Sequence, residues 1–144
     1  MSLDSTRGLL DTNIVILRHA IDPDELPDEM AISAITLAEL SAGVHLVGGD
    51  ITEAIEERAR RADVLQRAEN EFDPIPFDME SARIFGRISA AVQARGRTPQ
   101  RRKADLMIAS IAAVVELPLY TTNPGDFDGL EGIIQVVAVR RSAV

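Results

Sequence analysis

Four carboxylates stand where the surrounding sequence gives no ordinary reason for a charge. Asp11 is the only charged residue in Gly8-Leu9-Leu10-Asp11-Thr12-Asn13-Ile14-Val15-Ile16-Leu17. Glu39 is the only carboxylate between Glu29 and Asp50. Asp105 extends backwards the apolar stripe of Ile108, Ala112 and Val115, which share one helical face. Asp126 closes the polar turn Thr121-Thr122-Asn123-Pro124-Gly125-Asp126, just past the apolar Leu119-Tyr120. Each alone has an everyday explanation, and Asp11 by itself reads as a helix N-cap. Four together call for a shared one.

Carboxylates gathered in one pocket raise each other's pKa and cannot all stay ionised without a counter-charge. The chain has no cysteine and only two histidines, His19 and His45, which excludes thiolate metal sites and most zinc hydrolases. Oxygen donors alone suit a hard cation, Mg²⁺ or Mn²⁺. Two such ions roughly 3.5–4 Å apart could activate a water and stabilise the leaving oxygen of an in-line attack at phosphorus. Thr12, Asn13, Thr121 and Asn123 lie beside the acids as uncharged groups able to orient ligands or phosphate. Their alternative reading is as turn and cap residues.

The acids can meet only if the elements that carry them share an edge. Short apolar runs predict strands over 7–10, 30–33, 73–77, 119–122 and 133–139, the third bounded by Pro74 and Pro76 as at a sheet edge. Helical patterns cover 13–19, 35–47, 53–70, 79–95 and about 98–115. Gly48-Gly49 stops the second helix, and Asp50 or Thr52 is the expected cap of the third. That third helix is highly charged, with a narrow apolar stripe of Ala54, Ile55, Ala59, Ala62, Leu65 and Ala68. Between the first helix and second strand, residues 22–29 carry five acids and two prolines and read as a solvated loop. Strands alternating with helices imply a three-layer α/β/α sandwich around a mostly parallel five-stranded sheet. Ligands of such sheets bind outside the carboxyl ends of the strands. Asp11 and Asp126 follow strands directly, while Glu39 and Asp105 lie in early turns of crossover helices, which begin at that same edge.

With 144 residues, 46% hydrophobic and 26% charged, the chain is expected to form one globular domain over 1–144. Residues 1–6 are expected to be loose, and Met1-Ser2-Leu3 reads equally as native or as a cloning remnant. Aromatics make up 3%, so the core falls to Leu, Ile, Val and Ala. The sequence has no apolar run near membrane-span length and no basic-then-apolar leader, which makes the cytoplasm the expected compartment. A net charge of −8 argues against gripping nucleic acid by bulk positive field, but not against metal ions neutralising an acidic pocket.

At this point the chain resembles the PIN-domain family. Leu10-Asp11-Thr12-Asn13, Ile35-Thr36-Leu37-Ala38-Glu39-Leu40, Asp105-Leu106-Met107-Ile108-Ala109 and Thr121-Thr122-Asn123-Pro124-Gly125-Asp126-Phe127 match its four acidic motifs in order. The compact length and the last motif look most like the VapC-type toxins of toxin–antitoxin pairs. The resemblance implies Mg²⁺- or Mn²⁺-dependent endoribonuclease activity, a homodimer and inhibition by a small antitoxin. It gives Asp11, Glu39, Asp105 and Asp126 the metal, and Thr121 the family's Ser/Thr position. Thr122 departs from the basic residue often found there.

Arg95, Arg97, Arg101, Arg102 and Lys103 put five positive charges into nine residues without an acid, leading into the helix of Asp105. Beside a carboxylate pocket this segment suits RNA phosphate; elsewhere it would be a solvated loop. His19 and His45 read as surface or packing residues. The apolar face of the 79–95 helix is the candidate dimer surface. A dehalogenase-like phosphatase would want a second Asp where Asn13 stands, a receiver domain needs an acidic pair after its first strand, and a dinucleotide binder needs a Gly-rich first turn. A catalytically silent PIN-fold binding partner remains the rival from another class.

Overall fold

The computed structural model describes residues 5–141. Met1-Ser2-Leu3 lies outside them. Four short parallel strands form one sheet in the order β2-β1-β3-β4: β1 (Arg7–Leu10), β2 (Glu29–Ala31), β3 (Leu119–Thr121) and β4 (Val136–Ala138). Among the described residues five α-helices flank it: α1 (Thr12–Leu17), α2 (Ala34–His45), α3 (Thr52–Glu71), α4 (Met79–Ala94) and α5 (Lys103–Val115).

The central strand shows why the sandwich has two covered faces. Leu9 and Leu10 are both fully buried, and successive side chains of a strand point to opposite faces. Leu9 enters the core made with Ile88, Val92, Leu106, Ile108 and Leu119, between the sheet and α4–α5. Leu10 enters the other core, with Ile14, Leu40 and Ala68 from α1, α2 and α3 and Ile32 from just past β2. Register is fixed by Leu9 opposite both Ala31 and Leu119, and by Leu10 opposite Tyr120. Gly8 is required here: a Cβ at that position would stand 2.4 Å from Tyr120 Cε1. α5 is the most deeply placed helix, with Leu106 and all residues from Ile108 to Ala112 buried.

Several sequence expectations are corrected. The strand expected over 73–77 contracts to a single bridge, in which Ile75 N–H donates to Ile32 O (2.9 Å) and Ile75 O accepts from Ala34 N–H (2.8 Å). Pro74 and Pro76 have no N–H to extend it, so the sheet has four strands rather than five. The N-cap position of α3 is Ile51, with no side-chain cap bond, rather than Asp50 or Thr52. In the same helix Ala59 and Ala62 face outward, and the buried stripe is Val64, Leu65 and Ala68. Thr6, expected to be loose, is tied to Asp28: its N–H donates to Asp28 Oδ2 (3.0 Å) and its hydroxyl accepts from Asp28 N–H (2.9 Å). Finally, the apolar face of α4 offered as a dimer surface is consumed internally, since Ile88 and Val92 are buried in the core shared with α5.

The last strand is also shorter than its apolar run. Ile133 and Ile134 turn back beneath the sheet, their N–H groups both donating to Leu130 O, so only Val136–Ala138 pairs with β3.

Candidate active site

The ends of β1 and β3 lie side by side, and Asp11 N–H donates to Tyr120 O at 2.9 Å, one step past the last paired residues. This brings Asp11 and Thr121 together. Thr121 Oγ1 donates to Asp11 Oδ2 (2.8 Å), and the same oxygen accepts from Asn123 N–H (3.0 Å). Asp11 Oδ1 accepts from Thr12 N–H (2.9 Å), so Asp11 is the cap of α1 as well as a site residue. It is 5% exposed. Burial pushes its carboxyl up; the bonds from Thr121 and Thr12 counter that, and the nearby Asp126 charge adds to it.

Glu39 reaches the same rim from α2 and accepts from the Thr12 hydroxyl at 2.6 Å. Thr12 Oγ1 also lies 3.0 Å from Thr36 Oγ1, and Ser33 Oγ donates to Thr36 Oγ1 at 3.4 Å. With Thr12 donating to Glu39, its oxygen is left to accept from Thr36. Ser33, Thr36, Thr12 and Glu39 thus form one directed chain of hydroxyls ending on a carboxylate. Ser33 and Thr36 are fully buried and were not singled out from the sequence. The available signal was a Ser-x-x-Thr pair at the start of the helix that carries Glu39, which also caps that helix: Thr36 N–H donates to Ser33 Oγ (3.1 Å).

Asp105, in the first turn of α5, is where the four acids meet electrostatically. Its pKa is raised to about 6, by burial first and then by the charges of Asp11, Asp126 and Glu39, with Arg102 opposing. The charges of Asp11, Asp126 and Glu39 all bear on this one carboxyl, in keeping with their positions at the carboxyl edge of the sheet. Asp126 sits in the 3-10 turn Pro124–Phe127 and is ion-paired with Arg102 Nη1. Among the described residues no three acidic or imidazole side chains already close around a single point. The acids are instead drawn aside, Glu39 to the Thr12 hydroxyl and Asp126 to Arg102.

The supporting residues divide. Thr12 and Thr121 bond directly to the acids, and Asn123 contributes its backbone N–H to Thr121 while its amide bonds Thr122 Oγ1 (3.3 Å). Asn13 lies half-buried in the first turn of α1. The basic segment divides too. Arg97 donates to Gly125 O (3.0 Å) and pairs with Asp128 (3.4 Å), and the Arg95 stem lies over Gly129. Both therefore hold the turn that carries Asp126. Arg101 and Lys103 are exposed beside the site. His19 bonds Arg67 (2.7 Å) at the surface and His45 is exposed.

Next to the site a groove of about 500 Å³ runs between α1, α2 and α3, with Ile16, Leu40 and Val64 on its floor and Glu39, Glu57, Arg60 and Arg61 on its sides. Ile16 is half exposed. Among the described residues no helix is long and apolar enough to cross a membrane.

Comparison with known proteins agrees with this geometry. The PIN domain family model matches residues 9–132, which includes all four acids. Ribonuclease VapC5 of Mycobacterium tuberculosis is 32% identical over 143 residues, covering 97% of this chain and 99% of that protein. Ribonuclease VapC8 of the same species is 35% identical over 111 residues, covering 76% of this chain and 91% of that protein. Among solved structures, VapBC-5 from M. tuberculosis, a member of the VapBC family of toxin–antitoxin systems, superposes with a TM-score of 0.75 at 32% identity, covering 94% of this chain and 98% of that one. FitAcB from Neisseria gonorrhoeae superposes with a TM-score of 0.65 at 26% identity, covering 89% and 94% of the two chains. The acids, the parallel sheet and these likenesses agree, and the chain belongs to the PIN-domain family, among its VapC-type members.

Proposed function

We propose that this chain is the toxin of a toxin–antitoxin pair, an endoribonuclease that hydrolyses RNA phosphodiester bonds with a divalent metal, Mg²⁺ or Mn²⁺. The observation that carries it is the gathering of acids at one sheet edge: Asp11 is bonded to Thr121 at the end of β3, Glu39 is bonded to Thr12 beside Asp11, Asp105 stands in the first turn of α5, and Asp126 is paired with Arg102 at the start of that helix. An all-oxygen cluster of this charge fits a hard cation better than any other group. Asp11, Glu39, Asp105 and Asp126 would hold it. Bound there, the cation supplies an activated water and offsets charge on the phosphate oxygens.

The protein's own groups prepare that site. Thr121 fixes one oxygen of Asp11 and the Thr12 N–H fixes the other, so the buried carboxylate cannot rotate away. Thr12, backed by Thr36 and Ser33, fixes Glu39. Exposed Arg101 and Lys103, at the positive N-terminal end of α5, draw the RNA backbone toward a pocket that would otherwise repel it. The name of VapC5 as a ribonuclease, at 32% identity over nearly both chains, supports the substrate class. The VapBC-5 structure, described as a toxin–antitoxin system member, supports an antitoxin partner. The groove between α1, α2 and α3, which shares Glu39 with the site, is the surface through which such a partner would reach it. Homodimerisation belongs to the same reading, by a surface other than the buried face of α4.

Cleavage of a mixed RNA pool with Mg²⁺, Mn²⁺ or EDTA, by wild type and Asp105→Asn, tests it. Cutting that needs metal and is lost in the variant is the expected result. Cutting that survives EDTA or the substitution overturns the reading, and metal binding without cutting would favour the silent binding partner.

A further inference from the structure

The basic segment leading into α5 has one member turned into the acid cluster. Arg95 and Arg97 lie on the turn of residues 125–129, and Arg101 and Lys103 face solvent. Arg102 alone, among the described residues, is a cation in contact with one of the four acids, through Nη1 to Asp126 Oδ1. It also stands close enough to Asp105 to counter part of the repulsion there. Its backbone is fixed as the residue that opens α5, so the guanidinium is anchored at the rim from which Asp105 projects. Both partners of the pair remain 35% exposed, so the contact can open without unpacking the core.

Resting on the metal-dependent reading above, we propose that Arg102 is a resident counter-cation that occupies Asp126 in the metal-free protein and competes with the divalent ion for it. The carboxylate has lone pairs to spare, so the competition is one of charge and position: the guanidinium on Asp126 repels a divalent ion brought to the same carboxylate and holds that carboxylate in the orientation of the ion pair. Among the described residues no three of the acids close around one point, and Asp126 is held on Arg102. Arg102 is a positioning residue on this account. It lets four acids coexist without metal and makes release of Asp126 part of loading the site.

The test is Mn²⁺ affinity, read from the loss of the free-ion electron paramagnetic resonance signal, for wild type, Arg102→Gln, Arg102→Lys and Arg101→Gln. Removing the competitor in Arg102→Gln should tighten binding by about fivefold. Arg102→Lys, which keeps the charge without the planar fork, should fall between it and wild type. Arg101→Gln removes the same charge from the same turn without that contact and should match wild type. Unchanged or weaker Mn²⁺ binding in Arg102→Gln overturns the proposal, as does equal tightening in Arg101→Gln, which would make it a diffuse charge effect. Failure of wild type itself to bind Mn²⁺ would overturn the metal reading on which the proposal stands.

Discussion

Thr121 and Asp11, 110 residues apart in sequence, share a hydrogen bond of 2.8 Å from hydroxyl to carboxylate. It ties the end of β3 to the end of β1, and both partners are almost wholly buried. The bond opposes the desolvation of Asp11 and sets its rotamer. Thr121→Val is nearly isosteric and removes the hydroxyl both as donor to Asp11 and as acceptor from Asn123 N–H. It should cost about 1–3 kcal/mol in denaturant unfolding, because a buried acceptor is left unpaired. RNA cleavage should fall by more than tenfold, as misplacing one carboxylate of the candidate site implies. Thr121→Ser should restore both, and a Val variant as stable and active as wild type would show that the bond positions nothing.

The raised pKa of Asp105 makes a signed prediction for the metal-free protein. The native carboxyl titrates near 6, against 3.8 ordinarily. Between those values the native state binds more protons than the unfolded one, so stability falls as pH rises through this window. Asp105→Asn removes that penalty. It should be more stable than wild type at pH 7, and the advantage should vanish toward pH 4. Fully transmitted, the shift would be worth roughly 3 kcal/mol, which screening at a half-buried carboxylate reduces to about 1 kcal/mol. Melting curves in EDTA across this range check it, and a gain that grows as pH falls would reverse the sign.

Gly8 gives a packing test away from the acids. Its missing side chain leaves room for the Tyr120 ring, with Pro27 Cγ also only 3.1 Å from where a Cβ would stand. Gly8→Ala should destabilise the protein by about 1–3 kcal/mol through overpacking. Because Tyr120 precedes Thr121, the same change should also lower activity. A neutral result in urea unfolding would mean that the Tyr120 ring moves freely aside.

The acids were legible because a lone carboxylate in apolar sequence is conspicuous, and their common edge followed from parallel α/β topology. Arg102 was visible only as one of five charges, since nothing in a run of Arg and Lys tells which side chain turns inward; the backbone at the start of α5 decides that. Ser33 and Thr36 escaped notice because hydroxyls at a helix start are ordinary in capping, and Ser33 does cap α2 here, on the Thr36 N–H. The expected third strand failed for a reason written in the sequence. Pro74 and Pro76 leave Ile75 as the single donor between them, so one bridge was all that segment could form.

The central claim is that the four carboxylates form a single divalent-cation site. Melting temperatures with saturating Mn²⁺ or with EDTA, for wild type and for Asp11→Asn, Glu39→Gln, Asp105→Asn and Asp126→Asn, test it most directly. At about a hundredfold excess over the dissociation constant, binding should add roughly 2.7 kcal/mol, or about 5 °C or more for a chain of this size. The account predicts that shift in wild type and its loss or clear reduction in every variant. No shift in wild type, or an equal shift in all five proteins, would contradict it.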